Sequence, residues 1–174
     1  MKTSIKLCLV VLYCGLLVDP SALNLPVAGG PAAAQISSGN SVALLLSTAI
    51  NANGTGNSVL GLGQYKNLYA VLNLTAVPAG GAPTLDVYLQ SSADAGTTWR
   101  DLAHTQFTTS AVVRFVAISG DSAGSTSIVA ASDGQLAGET VVQGPWGDRL
   151  RIKYVFAAGG SSGSYQLAIS GIVK

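Results

Sequence analysis

The residues able to do acid–base, nucleophilic or metal chemistry are few in this chain, and their spacing builds no recognisable apparatus. It holds one histidine, His104, two cysteines and a single glutamate, Glu139. A triad needs a nucleophile and an orienting acid around its histidine; nothing in the spacing ties either to His104, which reads as a surface or loop-edge side chain. Glu139 and a distant aspartate could be drawn as a glycosidase pair, but only arithmetic supports that. Asp121, Asp133 and Asp148 fall in Gly-rich loops and could offer oxygen ligands to Ca²⁺, yet none follows an EF-hand or repeat spacing, so ordinary turn residues are expected. Cys8 and Cys14 with one histidine make neither a zinc scaffold nor a disulfide framework, and read as small buried hydrophobes. The Gly54/Gly56 and Gly61/Gly63 pairs precede no helix and are not phosphate loops. The chain therefore reads as non-enzymatic, without cofactor or metal.

The sharpest local pattern is Ser92-Ala93-Asp94-Ala95-Gly96-Thr97-Thr98-Trp99. It fits S-x-D-x-G-x-T-W and resembles the Asp-box of sialidases and related β-propellers. The physics is that of a hairpin: the Asp carboxylate accepts bonds within the loop, Gly takes a left-handed conformation, and Trp folds onto the turn. The box occurs once here, and 174 residues cannot hold a six-bladed propeller. Ser92, Asp94, Gly96, Thr98 and Trp99 are thus expected to form a structural hairpin.

Arg149, Arg151 and Lys153 alternate along one expected strand face, and Arg114 could lie on a neighbouring strand. Such a row could dock on an acidic protein, a sugar phosphate or a nucleic acid; a solvated sheet face is the plainer reading. Nine Lys+Arg against eight Asp+Glu leave a net charge of +1, without the basic excess of a nucleic-acid binder. No nucleic-acid or membrane partner is expected.

The elements that must position these residues are strands. Apolar residues recur at every second position around Val42–Leu44–Leu46, Leu68–Leu72–Leu74, Leu85–Val87–Leu89, Leu150–Ile152–Tyr154–Phe156 and Tyr165–Leu167–Ile169, the period of strands with one face on a core. Residues 105–119 are rich in Val, Thr and Phe on both faces, and so are expected to be buried on both sides or bent. Gly/Pro/Asn/Asp/Ser clusters separate the runs, and no segment past residue 35 carries a helical period. Seven to nine short strands predict an all-β antiparallel sandwich over residues 35–174, with a jelly-roll-like topology. Hydrophobic residues make up 48% and charged ones 10%, against roughly 25% charged in a typical domain; disorder is excluded over most of the length.

Residues 1–34 differ. Lys2 and Lys6 precede an apolar run over residues 7–18, followed by a Pro/Gly/Ala-rich stretch. The run is short of the about 20 residues a membrane helix needs. It reads either as a signal peptide, for which the cleavage candidates sit badly (Pro20 lies close before Ser21-Ala22), or as an extended structural arm whose Leu7, Leu9, Val11 and Leu16 bury against a partner. The arm is the preferred reading.

The order of a Leu/Thr strand from Tyr69 to Val77, a Pro/Gly loop, the strand Leu85-Asp-Val-Tyr-Leu-Gln-Ser91 and the Asp94-to-Trp99 hairpin resembles a recurrent small β-sandwich protein of tailed-bacteriophage virions. The closing 150–156 and 165–170 strands fit the same pattern. The resemblance covers residues 65–173 and departs at the apolar N-terminus. It implies a head decoration or minor capsid protein, a homo-oligomer located in the virion, with the major capsid protein or other virion proteins as partners. Low charge and many small residues suit permanent assembly. The alternative is a secreted carbohydrate-binding sandwich, with Trp99, Trp146 and tyrosines stacking on sugars.

Overall fold

Apolar residues at every second position put one face of each long strand on a common core, and the turn clusters between them force the chain back across it. The computed structural model describes residues 41–122 and 132–174, which form nine strands and no helix. They are β1 (Ser41–Ile50), β2 (Gly54–Thr55), β3 (Asn67–Ala76), β4 (Thr84–Ser92), β5 (Arg100–Phe107), β6 (Val112–Ser119), β7 (Thr140–Val141), β8 (Arg149–Ala157) and β9 (Tyr165–Val173). Two sheets result, in the orders β1-β9-β3-β6 and β2-β8-β4-β5-β7, with every pairing antiparallel. The chain is an all-β antiparallel sandwich. Residues 1–34, with Leu7, Leu9, Val11, Leu16 and both cysteines, lie outside the described residues.

Between the sheets, Leu44, Leu68, Leu72, Leu74, Leu167 and Ile169 of the first meet Leu85, Val87, Leu89, Phe107, Leu150 and Ile152 of the second, all buried. Val59 and Leu62 close one end from the long β2–β3 connection, where Val59 pairs with Leu150. At the other, the Tyr165 hydroxyl donates to the Thr108 carbonyl at 2.8 Å and pins the crossing from β5 to β6. Burial pushes that phenol above its ordinary pKa.

That crossing corrects one expectation. Residues 105–119 are neither a doubly buried strand nor a bent one. The polar residues Thr108, Thr109 and Ser110 break the run, so that β5 lies inside the second sheet and β6 becomes the edge of the first. Its apolar residues on both faces then have different fates: Ile118 is buried, whereas Val112, Val113 and Phe115 are exposed.

Candidate functional site

The β4–β5 hairpin is built by its own sequence. Asp94 accepts from the Ser92 hydroxyl at 2.7 Å, the Thr98 amide at 2.9 Å and the Thr98 hydroxyl at 2.6 Å, while the Gly96 amide donates to Ser92 Oγ at 2.8 Å. Trp99 folds back and donates from Nε1 to the Gly96 carbonyl at 2.9 Å. Gly96 has a φ of 93°, a conformation open to glycine and costly for other residues. The Thr98 hydroxyl and amide, then the Ser92 hydroxyl, hold the Asp94 carboxyl down at about 2. The polar side chains of this loop bond chiefly among themselves and to its own backbone.

A polar layer covers the outer face of the second sheet. Cross-strand register places Asp86 opposite Gln106, Tyr88 opposite His104 and, after a register shift between Leu89 and Gln90, Gln90 opposite Asp101. Residues 132–139 then lie across these side chains. Asp101, 1% exposed, accepts from Gln90 Nε2 at 2.6 Å and from the amides of Gly134, Gln135 and Leu136 at 2.9 to 3.1 Å. His104 has Nδ1 2.7 Å from the Leu136 carbonyl and Nε2 3.0 Å from Asp86 Oδ1, and its ring stacks on Tyr88 with centroids 4.1 Å apart. Burial, with the Asp86 and Asp101 charges behind it, raises the Tyr88 phenol above its usual pKa.

His104 is therefore not the surface or loop-edge residue expected from sequence. Its side chain is 8% exposed, because a segment some thirty residues downstream folds over it. Neither ring nitrogen faces a hydroxyl or a thiol, so the histidine acts as a strut between sheet and segment.

Glu139 ends this segment in a left-handed conformation, φ 56°, which a non-glycine residue adopts at a cost. Its carboxylate accepts from the Gln106 amide at 2.9 Å, from Thr105 Oγ1 and from Arg114 Nη1. Burial opposes its charge, but the Gln106 amide and the Arg114 guanidinium outweigh that and hold its pKa below the usual glutamate value.

Arg149, Arg151 and Lys153 alternate with the buried Leu150 and Ile152 along one face of β8, and Arg114 lies apart from them. Arg114 is on β6, in the other sheet from β8, so it shares no face with the remaining three. It reaches between the sheets to Thr105 Oγ1, Glu139 and the Phe107 ring. Arg151 donates to Gln90 Oε1 and Asp133 Oδ1 and lies 4.0 Å over the Trp99 ring. Lys153 donates to the Asp133 carboxylate at 3.0 Å and carbonyl at 2.9 Å. The Gln90 amide first, then Lys153 and Arg151, keep Asp133 below its ordinary pKa despite some burial. Arg149 extends beside the hairpin, near Gly96.

The other candidate ligands lie in connections between strands, and their partners come from distant parts of the chain. Asp121 pairs with Lys66 at 2.9 Å, and Asp148 accepts from the Gly63 amide at 3.4 Å. Among the described residues no three His, Cys, Asp or Glu converge on a possible metal. Trp146 donates to the Leu62 carbonyl at 3.1 Å and packs on the core.

The first sheet presents the feature that residue chemistry did not reveal. Arg114 is the one charged residue on its four strands, and it turns inward. The outer face carries Tyr69, Ile172, Val113 and Phe115, at 50%, 46%, 47% and 79% exposure, around small residues such as Ala117, Ala168 and Ser170. A signal existed in the 112–117 run, whose apolar residues exceed what one buried face can accept. Compared with protein-family models, curated proteins and solved structures, the chain finds no match in any of the three.

Proposed function

We propose that this chain is a non-enzymatic structural protein of a bacteriophage virion, decorating or cementing the capsid through subunit contacts and an N-terminal arm drawn from residues 1–34. The observation that carries the reading is the uncharged outer face of the first sheet, where Tyr69, Val113, Phe115 and Ile172 are exposed beside Asn73 and Ser170 and no described segment covers them, an ordinary surface for an assembled subunit. The strand pairing supports the fold side of the reading. With the two-residue β7 left aside, first pairs with last, β2 with β8, β3 with β6 and β4 with β5, the pairing of a jelly roll, an architecture common in capsid domains.

The secreted carbohydrate-binding reading gains less. Trp99 has the Arg151 guanidinium over its ring, which occupies the face a sugar would stack on, and Trp146 is half-buried and tied to Leu62 and the core.

The test is co-sedimentation of the purified chain with phage heads from its native source, together with mass spectrometry of intact particles. Recovery of the chain at a fixed stoichiometry, with an intact N-terminus, is expected. Absence from particles together with a positive glycan array would replace the virion reading by the carbohydrate-binding one. Should heads bind through Arg149, Arg151 or Lys153, occupancy will fall as salt rises. Contact through the apolar sheet predicts little salt dependence.

A further inference from the structure

A sandwich has four sheet edges, and a bare edge invites another strand unless it is short, bulged or charged. Here β2 and β7 have two residues each. The third edge, β1, carries two register shifts against β9. Among the edges that the described residues form, only β6 is long and regular: it pairs with β3 over eight residues without a shift. Nor does it carry an outward charge or a proline, the usual edge protections.

The direction of its backbone groups follows from Gln143, whose side chain accepts from the Ser119 amide at 2.6 Å and donates to the Ala117 carbonyl at 3.1 Å. Residues 117 and 119 thus direct their amides and carbonyls away from β3, and by the two-residue period so do 113 and 115. Gln143 caps the far end of the edge. At Val113 and Phe115 no partner takes those groups among the described residues.

We propose that β6 pairs with β6 of a second copy of this chain, antiparallel about a two-fold axis at Arg114, joining the two four-stranded sheets into one. In that register the amides and carbonyls of Val113 face those of Phe115 in the other copy and exchange hydrogen bonds. On the outer face each Phe115 lies directly across from the other copy's Val113, an aromatic–β-branched pair of the kind that stabilises sheets. The two Arg114 side chains meet at the axis without conflict, since each is neutralised by its own Glu139. The contact is self-complementary, as a two-fold interface must be.

One edge buries well under the roughly 800 Å² per partner of a stable interface, so a dissociation constant on the order of 10–100 µM is expected, strong enough where an assembly concentrates its subunits. The inference goes beyond the virion reading and stands or falls without it.

The test is amide exchange of the full chain at about 5 µM and about 500 µM, spanning that constant. The Val113 and Phe115 amides should exchange several-fold more slowly at the higher concentration. Phe115→Lys, and separately Val113→Pro, which removes an outward N–H without touching the β3 pairing, should abolish that dependence. Tyr69→Lys, on the same face but a central strand, should keep it. Equal rates at both concentrations would overturn the proposal, as would loss of the dependence in Tyr69→Lys alone, which would make the face the interface. A short bismaleimide applied to mixed Val113→Cys and Phe115→Cys chains should join positions 113 and 115. Links from those positions to Cys8 or Cys14 would put the N-terminal segment on β6 and refute strand self-pairing.

Discussion

The outer faces of the two sheets are opposites built on one core. The second sheet carries Asp86, Arg100, Asp101, Arg149, Arg151 and Lys153 on its strands, and most of these are engaged by one another or by residues 132–139. The first sheet carries almost nothing chemical, and its outer side chains meet no covering segment among the described residues. Reactive-looking residues attract attention in a sequence, yet a charge whose partner lies in the same chain is already committed. Phe115, on an uncharged sheet, has no such partner among the described residues, and Tyr69 has only the Lys174 ammonium 5.8 Å from its ring centroid, so both remain available for association.

This contrast breaks most sharply at Asp101. Asp101→Ala leaves three backbone amides without their acceptor and removes one of the two acceptors of the Gln90 amide, which keeps Asp133, and should cost about 3 kcal/mol by urea denaturation. Asp101→Asn should fall between, since it keeps the shape but not the charge. If the alanine variant is as stable as the parent, the polar layer is not what holds residues 132–139 in place.

Arg151 comes next. Arg151→Ala removes the Trp99 stack and the bonds to Gln90 and Asp133, with an expected loss of about 1–2 kcal/mol. Arg151→Lys should not restore it, because an ammonium lacks the planar fork that stacks and bonds at once. The environment of Trp99 should change in fluorescence in both variants.

Acid should then separate the faces further. Asp94, Asp133 and Glu139 have lowered folded-state pKa values. Each contributes stability that is full above the unfolded carboxylate range and is lost as pH falls through its folded value, near 2 for Asp94. Melting temperature should therefore drop progressively below about pH 4. Asp94→Asn should lower it by a few degrees at neutral pH and flatten the part of the acid dependence nearest pH 2. The unchanged first-sheet face should not contribute.

The smallest effect belongs to that face. Tyr69→Lys should change the stability of the isolated chain by no more than about 0.5 kcal/mol, because half of the side chain is already in water. A loss of several times that would show that something within the chain covers the face.

The strands themselves were legible because alternation is local. Leu85, Val87 and Leu89 or Tyr165, Leu167 and Ile169 announce a buried face from their spacing alone. The hairpin was legible for the same reason: Ser92, Asp94, Gly96, Thr98 and Trp99 find their partners within a few residues. Pairing across distance was not. His104 reads as an isolated surface imidazole until Leu136 comes to lie on it, and Arg114 reads as a neighbour of Arg149, Arg151 and Lys153 until the break at residues 108–111 sends β6 to the other sheet.

The sequence by itself therefore determined the all-β class, the positions of most strands and the geometry of one hairpin, since each rests on side-chain period or on bonds spanning a few residues. Tertiary structure decided which charges are engaged and which apolar residues stay in water. Those outcomes depend on which strand becomes an edge and which segment lies over which sheet, and both are set by contacts between residues tens of positions apart.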